Sequence, residues 1–211
     1  MQLTKYEHAC VVLEDRGKTM VIDPGAYTKT LPILRNVVAV VVTHVHGDHL
    51  NAEVLGQIIS ANPGVQIFTT DEVSKEISSM PVTVAKPGAP VTVGPFALEF
   101  YGELHELVHP DFPRAQNIAV MVNNKFFFPG DSFTAPGKPI AMLAVPVDAP
   151  WLKFADTVSY LDTVKPQACI PTHNVFMSKE GDQLVEGMLN GICQKHNIKY
   201  SHLEPGESIE F

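Results

Sequence analysis

The chain has 211 residues, of which 45% are hydrophobic and 18% charged, and its formal net charge is −8. That balance supplies a substantial core for one compact domain or two fused halves, and an acidic excess without any Lys/Arg run argues against a nucleic-acid partner. The opening "MQLTKYEHACVVLEDRG" lacks an apolar signal region, and no apolar run approaches membrane-spanning length, so a cytoplasmic chain without a membrane partner is expected.

Taken in order, short apolar runs bounded by turn residues read as strands: "LTKY", "CVVLE", "TMVID", "VVAVVVT", "VQIFTT", "PVTVA", "FALEFYG", "NIAVMVNN", "KFFFPG", "AMLAVPV" and "ACIPT". Four segments read as helices: "NAEVLGQIISANPG", capped by Asn51 and stopped by Asn62-Pro63-Gly64; "DEVSKEISSM"; "KFADTVSYLDTV"; and "EGDQLVEGMLNGICQKHN". In the last of these, Leu184, Met188 and Ile192 fall at helical spacing and are expected to face the core. Strands, helices, strands and helices again, from about Val82, suggest α+β architecture with two αβ halves stacked as a four-layer α/β/β/α sandwich over residues 1–211. Cys10, Cys169 and Cys193 are odd in number, widely spaced and set in apolar segments, which describes buried free thiols and not a disulfide framework.

The stretch "VVAVVVTHVHGDHL" ends the most apolar strand in four metal-ligand side chains, His44, His46, Asp48 and His49. A tetrahedral divalent cation takes about four ligands from His nitrogen, carboxylate oxygen or thiolate, and a catalytic site leaves a position for water. His44 and His46 lie two apart on an extended turn, and Gly47 allows the reversal that brings Asp48 and His49 towards the same volume. Either pair alone is too small, so further ligands must come from other strand tips. "FALEFYGELH", "KFFFPGDS" and "ACIPTH" offer His105, Asp131 and His173 in that position.

HVHGDH resembles the HxHxDH signature of the metallo-β-lactamase superfamily, and His105, Asp131 and His173 follow in the order that superfamily uses. The resemblance covers nearly the whole chain and includes "HACVVLEDRGKTMVIDPG", whose Asp23 it implies to support the metal histidines from behind. It implies a dinuclear site, with His44, His46 and His105 on one ion, Asp48, His49 and His173 on the other, and Asp131 bridging. Zinc is the expected ion, although the carboxylates also suit Mn or Fe. The Cys that secreted β-lactamases need near the position of Asp131 is absent, and no residues remain for an attached flavodoxin domain. "HELVHPDFPRAQN" is similar to small cytoplasmic hydrolases related to L-ascorbate-6-phosphate lactonase.

The expected activity is metal-dependent hydrolysis of a small ester, lactone or phosphoester by a metal-bridging hydroxide, with Asp48, Asp131 and His109 as catalytic groups. The alternative is a metal-binding scaffold of the same fold without turnover. Arg114 and His109 are expected to line the pocket and orient an anionic group; the other reading of Arg114 is a surface pair with Asp111. Trp151 and Lys153, in "DAPWLKF", are candidates for a pocket wall and an anion contact, or for an ordinary loop-to-helix junction. His8 is expected to support or pack against the site and not to be a ligand.

Overall fold

The computed structural model describes residues 1–88 and 90–211. In chain order the first strands are β1 (Gln2–Lys5), β2 (Val11–Asp15), β3 (Lys18–Ile22), β4 (Val37–Val42), β5 (Gln66–Thr69) and β6 (Thr83–Val84). Helices α1 (Ala52–Ala61) and α2 (Asp71–Glu76) lie between them in the chain. Then come β7 (Val91–Val93), β8 (Phe96–Tyr101), β9 (Ala119–Val122), β10 (Phe126–Phe128), β11 (Met142–Pro146), α3 (Phe154–Val164), β12 (Ala168–Thr172), α4 (Lys179–Lys195), β13 (Lys199–Tyr200) and β14 (Ser208–Glu210).

Two seven-stranded sheets result, ordered β14-β1-β2-β3-β4-β5-β6 and β13-β12-β11-β10-β9-β8-β7. Both follow one plan. In the first, three antiparallel pairings precede the parallel ones of β3 to β6. In the second, β7 to β10 pair antiparallel and β10 to β13 parallel.

The alternation of side chains along each strand builds three apolar layers. On β4, Ala39 and Val41 join Phe96, Phe100, Val120, Phe126 and Ile170 between the sheets. Val40 and Val42 point the other way and pack with Leu55 and Ile58 of α1 and Val73 of α2. On the outer face of the second sheet, Phe127, Leu143 and Cys169 pack with Leu161 of α3 and Leu189 and Cys193 of α4. The sequence of layers is therefore helices, sheet, sheet, helices. Cys10, Cys169 and Cys193 are buried free thiols, and folding brings the last two to 3.5 Å.

Caps set the helix limits. Asn51 Oδ1 accepts from the amides of Glu53 and Val54, Ser178 Oγ accepts from Gly181, and Lys165 closes α3 in the left-handed conformation ahead of Pro166. The face of α4 differs from expectation. Leu184 is 64% and Met188 40% exposed, whereas Leu189 and Cys193 are fully buried and Val185 and Ile192 only partly so. Two stripes at i, i+4 spacing, 184/188/192 and 185/189/193, lie about 100° apart on a helix, and periodicity alone does not choose between them. No helix among the described residues is long and apolar enough to cross a membrane.

Candidate metal centre

The parallel strands of both sheets end at one rim, where open α/β sheets characteristically place their ligands. His44 follows β4, Asp131 follows β10 and His173 follows β12 directly. His105 lies past the end of β8 and is held by the Leu104–Gln116 bridge and by its own amide on the Ala115 carbonyl at 3.0 Å.

Two backbone approaches tighten the rim. The loop after β3 runs against the HVHGDH turn so closely that a β-carbon on Gly25 would lie 1.8 Å from the Asp48 carbonyl oxygen. Gly130, at φ +62°, lets the chain turn under Asn117, whose Oδ1 accepts from the Asp131 amide at 3.1 Å and whose Nδ2 donates to the Pro129 carbonyl at 2.9 Å.

The histidine protons follow from their partners. His49 Nδ1 donates to Asp23 Oδ2 at 2.7 Å, His105 Nδ1 to the Glu106 carbonyl at 2.6 Å, and His173 Nδ1 to the Asp148 carbonyl. Thr43 Oγ1 gives its hydrogen to Asp23 Oδ2 at 2.6 Å and so accepts from His44 Nδ1 at 3.0 Å. With Nδ1 protonated in each ring, all four Nε2 atoms carry lone pairs, and these atoms are buried without a hydrogen-bond partner among the described residues. The Nε2 atoms of His49, His105 and His173 nevertheless stand 3.1, 3.2 and 3.0 Å from Asp131 oxygens. Lone pairs at that distance from a carboxylate repel unless positive charge lies between them.

The electrostatics agree. Burial works against a charge on His49, but Asp131 and Asp23 beside it hold its pKa well above the usual value. Burial likewise opposes His173, which Asp131 and Asp48 push up to about 9. Burial pushes the Asp131 carboxyl up, and His49 and His173 more than reverse this and hold it well below the usual range. The cluster asks for cations or for the protons that replace them.

Ligand atoms gather in groups with all members within 4.8 Å of one another: His44, His46 and His105; His44, His49 and Asp131; and His8, Asp48, His49 and His173. His8 is buried, and burial holds its ring down to about 4 despite Asp48. It is therefore neutral and donates Nε2–H to Asp48 Oδ2 at 2.9 Å, while its carbonyl accepts from the His173 amide at 3.0 Å.

The centre opens on a cavity of about 430 Å³ whose wall includes Tyr27, Val108, Pro150, Trp151 and Phe176. Trp151 Nε1 donates to Asp131 Oδ2 at 3.2 Å. The other substrate-binding candidates stand elsewhere. Arg114 Nε donates to the His105 carbonyl, and the residue borders an adjoining recess that shares His46, His105 and Val108 with the cavity. His109 is the residue that meets Asp111, at 3.5 Å, with its side chain 58% exposed. Lys153 is exposed at the start of α3, where its amide donates to Asp156. None of the three lines the cavity. Thr43, Asn117 and the carbonyls of Glu106 and Asp148 carry no sequence signal of their own, because their roles depend on which backbone segments the fold juxtaposes.

Comparisons with known proteins give the family and the fold. The sequence profile of the family described as "Beta-lactamase superfamily domain" matches residues 2–173. Protein Rv0786c of Mycobacterium tuberculosis is 26% identical over 194 residues, covering 90% of this chain and 91% of that protein. Among solved structures, a protein of Parabacteroides distasonis superposes with a TM-score of 0.74 at 18% identity, covering 96% of this chain and 92% of its own. The metallo hydrolase Igni18 of Ignicoccus hospitalis superposes with a TM-score of 0.71 at 20% identity, over 100% and 98%. The profile spans β1 to β12 and every ligand candidate, and the chain belongs to the β-lactamase superfamily, with its four-layer metallo-β-lactamase fold.

Proposed function

We propose that the protein is a metal-dependent hydrolase with a dinuclear centre. His44, His46 and His105 would hold one divalent cation, Asp48, His49 and His173 a second, and Asp131 would serve both. The observation that carries this reading is the set of four buried Nε2 lone pairs, each fixed by an acceptor behind the ring. Three of them lie 3.0–3.2 Å from Asp131 oxygens, and the fourth belongs to His44, which groups with His49 and Asp131 within 4.8 Å. A His-rich shell favours zinc, and its carboxylates also accommodate Mn or Fe.

When bound, a pair of divalent cations supplies a water-derived nucleophile at neutral pH and polarises the bond under attack. The chain's own residues do the rest. Asp23 and Thr43 fix the rings of His49 and His44. His8 orients Asp48. Trp151 orients Asp131 and closes one side of the cavity. An open cavity beside the cluster favours catalysis over a structural site, which four protein ligands would close. Metal analysis of the purified protein, paired with a panel of esters, lactones and phosphoesters assayed before and after chelation, tests the reading. Close to two ions per chain and chelator-sensitive hydrolysis are expected; full metal content without turnover of any class would leave the scaffold alternative.

A further inference from the structure

The cavity wall is apolar wherever it is not the metal cluster. Tyr27 and Phe176 stand edge to face, their ring centroids 5.2 Å apart, and Phe176 also packs 5.3 Å from His8. Trp151, also in the wall, is braced by Phe133 at 5.4 Å and by its hydrogen bond to Asp131. Val108 and Phe176 remain 40% and 52% exposed, so apolar surface faces solvent at the mouth of the site, as pocket walls awaiting a ligand do. Neither Lys nor Arg lines this cavity among the described residues. Arg114 is tied through its Nε to the His105 carbonyl and borders an adjoining recess that shares His46, His105 and Val108 with the cavity, and Lys153 is at a helix start outside the lining. A phosphoester is ordinarily gripped by guanidinium groups or clustered amides in addition to any metal ions, and within this lining the metal centre alone would meet its negative charge.

We propose that the substrate is a carboxylic ester or lactone whose acyl portion carries an uncharged aromatic or branched aliphatic group seated against Tyr27, Trp151 and Phe176, and not a phosphoester. This rests on the hydrolase reading. The oxygen of water bonds to the acyl carbon and the acyl C–O bond to the alcohol portion breaks. One proton of water passes to the leaving oxygen and the other is released as the carboxylate forms.

The chain has a single tryptophan, and because Trp151 is in the wall its fluorescence reports occupancy without turnover. The metal-loaded protein is titrated with acetamide, isobutyramide, benzamide and phenyl phosphate, and p-nitrophenyl acetate, isobutyrate, benzoate and phosphate are assayed in parallel. Benzamide and isobutyramide are expected to bind at least about tenfold more tightly than acetamide, the increment a well-formed apolar pocket gives for added carbon. Among the substrates, kcat/KM for the benzoate should exceed that for the phosphate. In Phe176→Ala, the benzoate should lose about tenfold in kcat/KM and the acetate much less, with metal content unchanged. Preference for p-nitrophenyl phosphate over the carboxylic esters, or benzamide binding no tighter than acetamide, overturns the proposal. Graded amide binding without hydrolysis of any substrate overturns the hydrolase reading instead and leaves the apolar pocket standing.

Discussion

Asp23 Oδ2 accepts two hydrogen bonds, from Thr43 Oγ1 at 2.6 Å and from His49 Nδ1 at 2.7 Å, and through them one buried carboxylate behind the cavity sets two imidazole rings. Thr43 passes the effect to His44 at 3.0 Å. Asp23→Ala is expected to lower metal affinity by roughly 10–100-fold, with part of the loss recovered in excess metal. Asp131→Ala removes a carboxylate that faces His49, His105 and His173 directly, and added metal should not restore its activity. Metal titration of both variants decides; equal and unrescued losses would show that Asp23 does more than set the rings.

His105 and His109 stand four residues apart in similar sequence. His105 is buried, with Nε2 3.2 Å from Asp131, while His109 faces solvent beside Asp111. Bound metal should fall clearly in His105→Ala and stay at the wild-type level in His109→Ala, as measured by elemental analysis of the purified variants. The reverse result would move the ligand to the loop.

Gly25→Ala should destabilise the metal-free protein, because its new methyl would meet the backbone of Asp48 and not a side chain that can swing away. Overpacking of this kind costs about 1–3 kcal/mol, and more where backbone must move. Gly47→Ala, in the same turn but with nothing within 4 Å of the added carbon, should lie within about 0.5 kcal/mol of wild type. Thermal unfolding of the two apo-variants gives the comparison.

Lys5 is buried, and its Nζ donates to the Tyr6 carbonyl at 3.1 Å and to Asn174 Oδ1 at 3.4 Å. Burial lowers its pKa below the unfolded value of 10.5, against the pull of Asp182. Between the two values the unfolded chain binds more protons than the folded one, so Lys5 makes stability rise with pH there. Below the folded value its unfavourable contribution is constant. The stability of Lys5→Met relative to wild type should therefore decline as pH approaches 10.5. Denaturant unfolding across the alkaline range measures it, and a flat or rising difference would show that Lys5 stays charged in the fold at no penalty.

The clustering of His and Asp side chains and the layered architecture were legible because both rest on local pattern. "VVAVVV" reads as a strand buried on two faces, and HVHGDH places four ligand-type side chains within six residues of its end. His105, Asp131 and His173 were legible through repetition of an apolar strand leading to a polar tip. The orientation of α4 was not, because two apolar stripes compete and the choice belongs to the sheet beneath. Arg114 and Lys153 were expected to contact an anion on the strength of charge and position in the chain. Their placement depends on loop geometry, which put the guanidinium on the His105 carbonyl and the lysine at a helix start. Phe176 drew no attention in the sequence, since only the turn after His173 brings it over the cavity. The strands β7, β13 and β14, two or three residues each, are too short to show alternation.

Those short strands have a further consequence. The outermost strands of the two sheets are β14, β6, β13 and β7, and each has only two or three residues. An edge of that length offers a neighbouring molecule too few unpaired amides and carbonyls to start a continuous ladder, and long exposed edges are where chains otherwise recruit one another into aggregates. On the first sheet, β14 covers β1 through Gln2–Glu210, Leu3–Ile209 and Thr4–Ser208 pairing and presents alternate exposed Ser208 and Glu210 outward. Removal of residues 208–210 would leave the largely buried β1 as the new border, and neighbouring molecules would begin to pair through it.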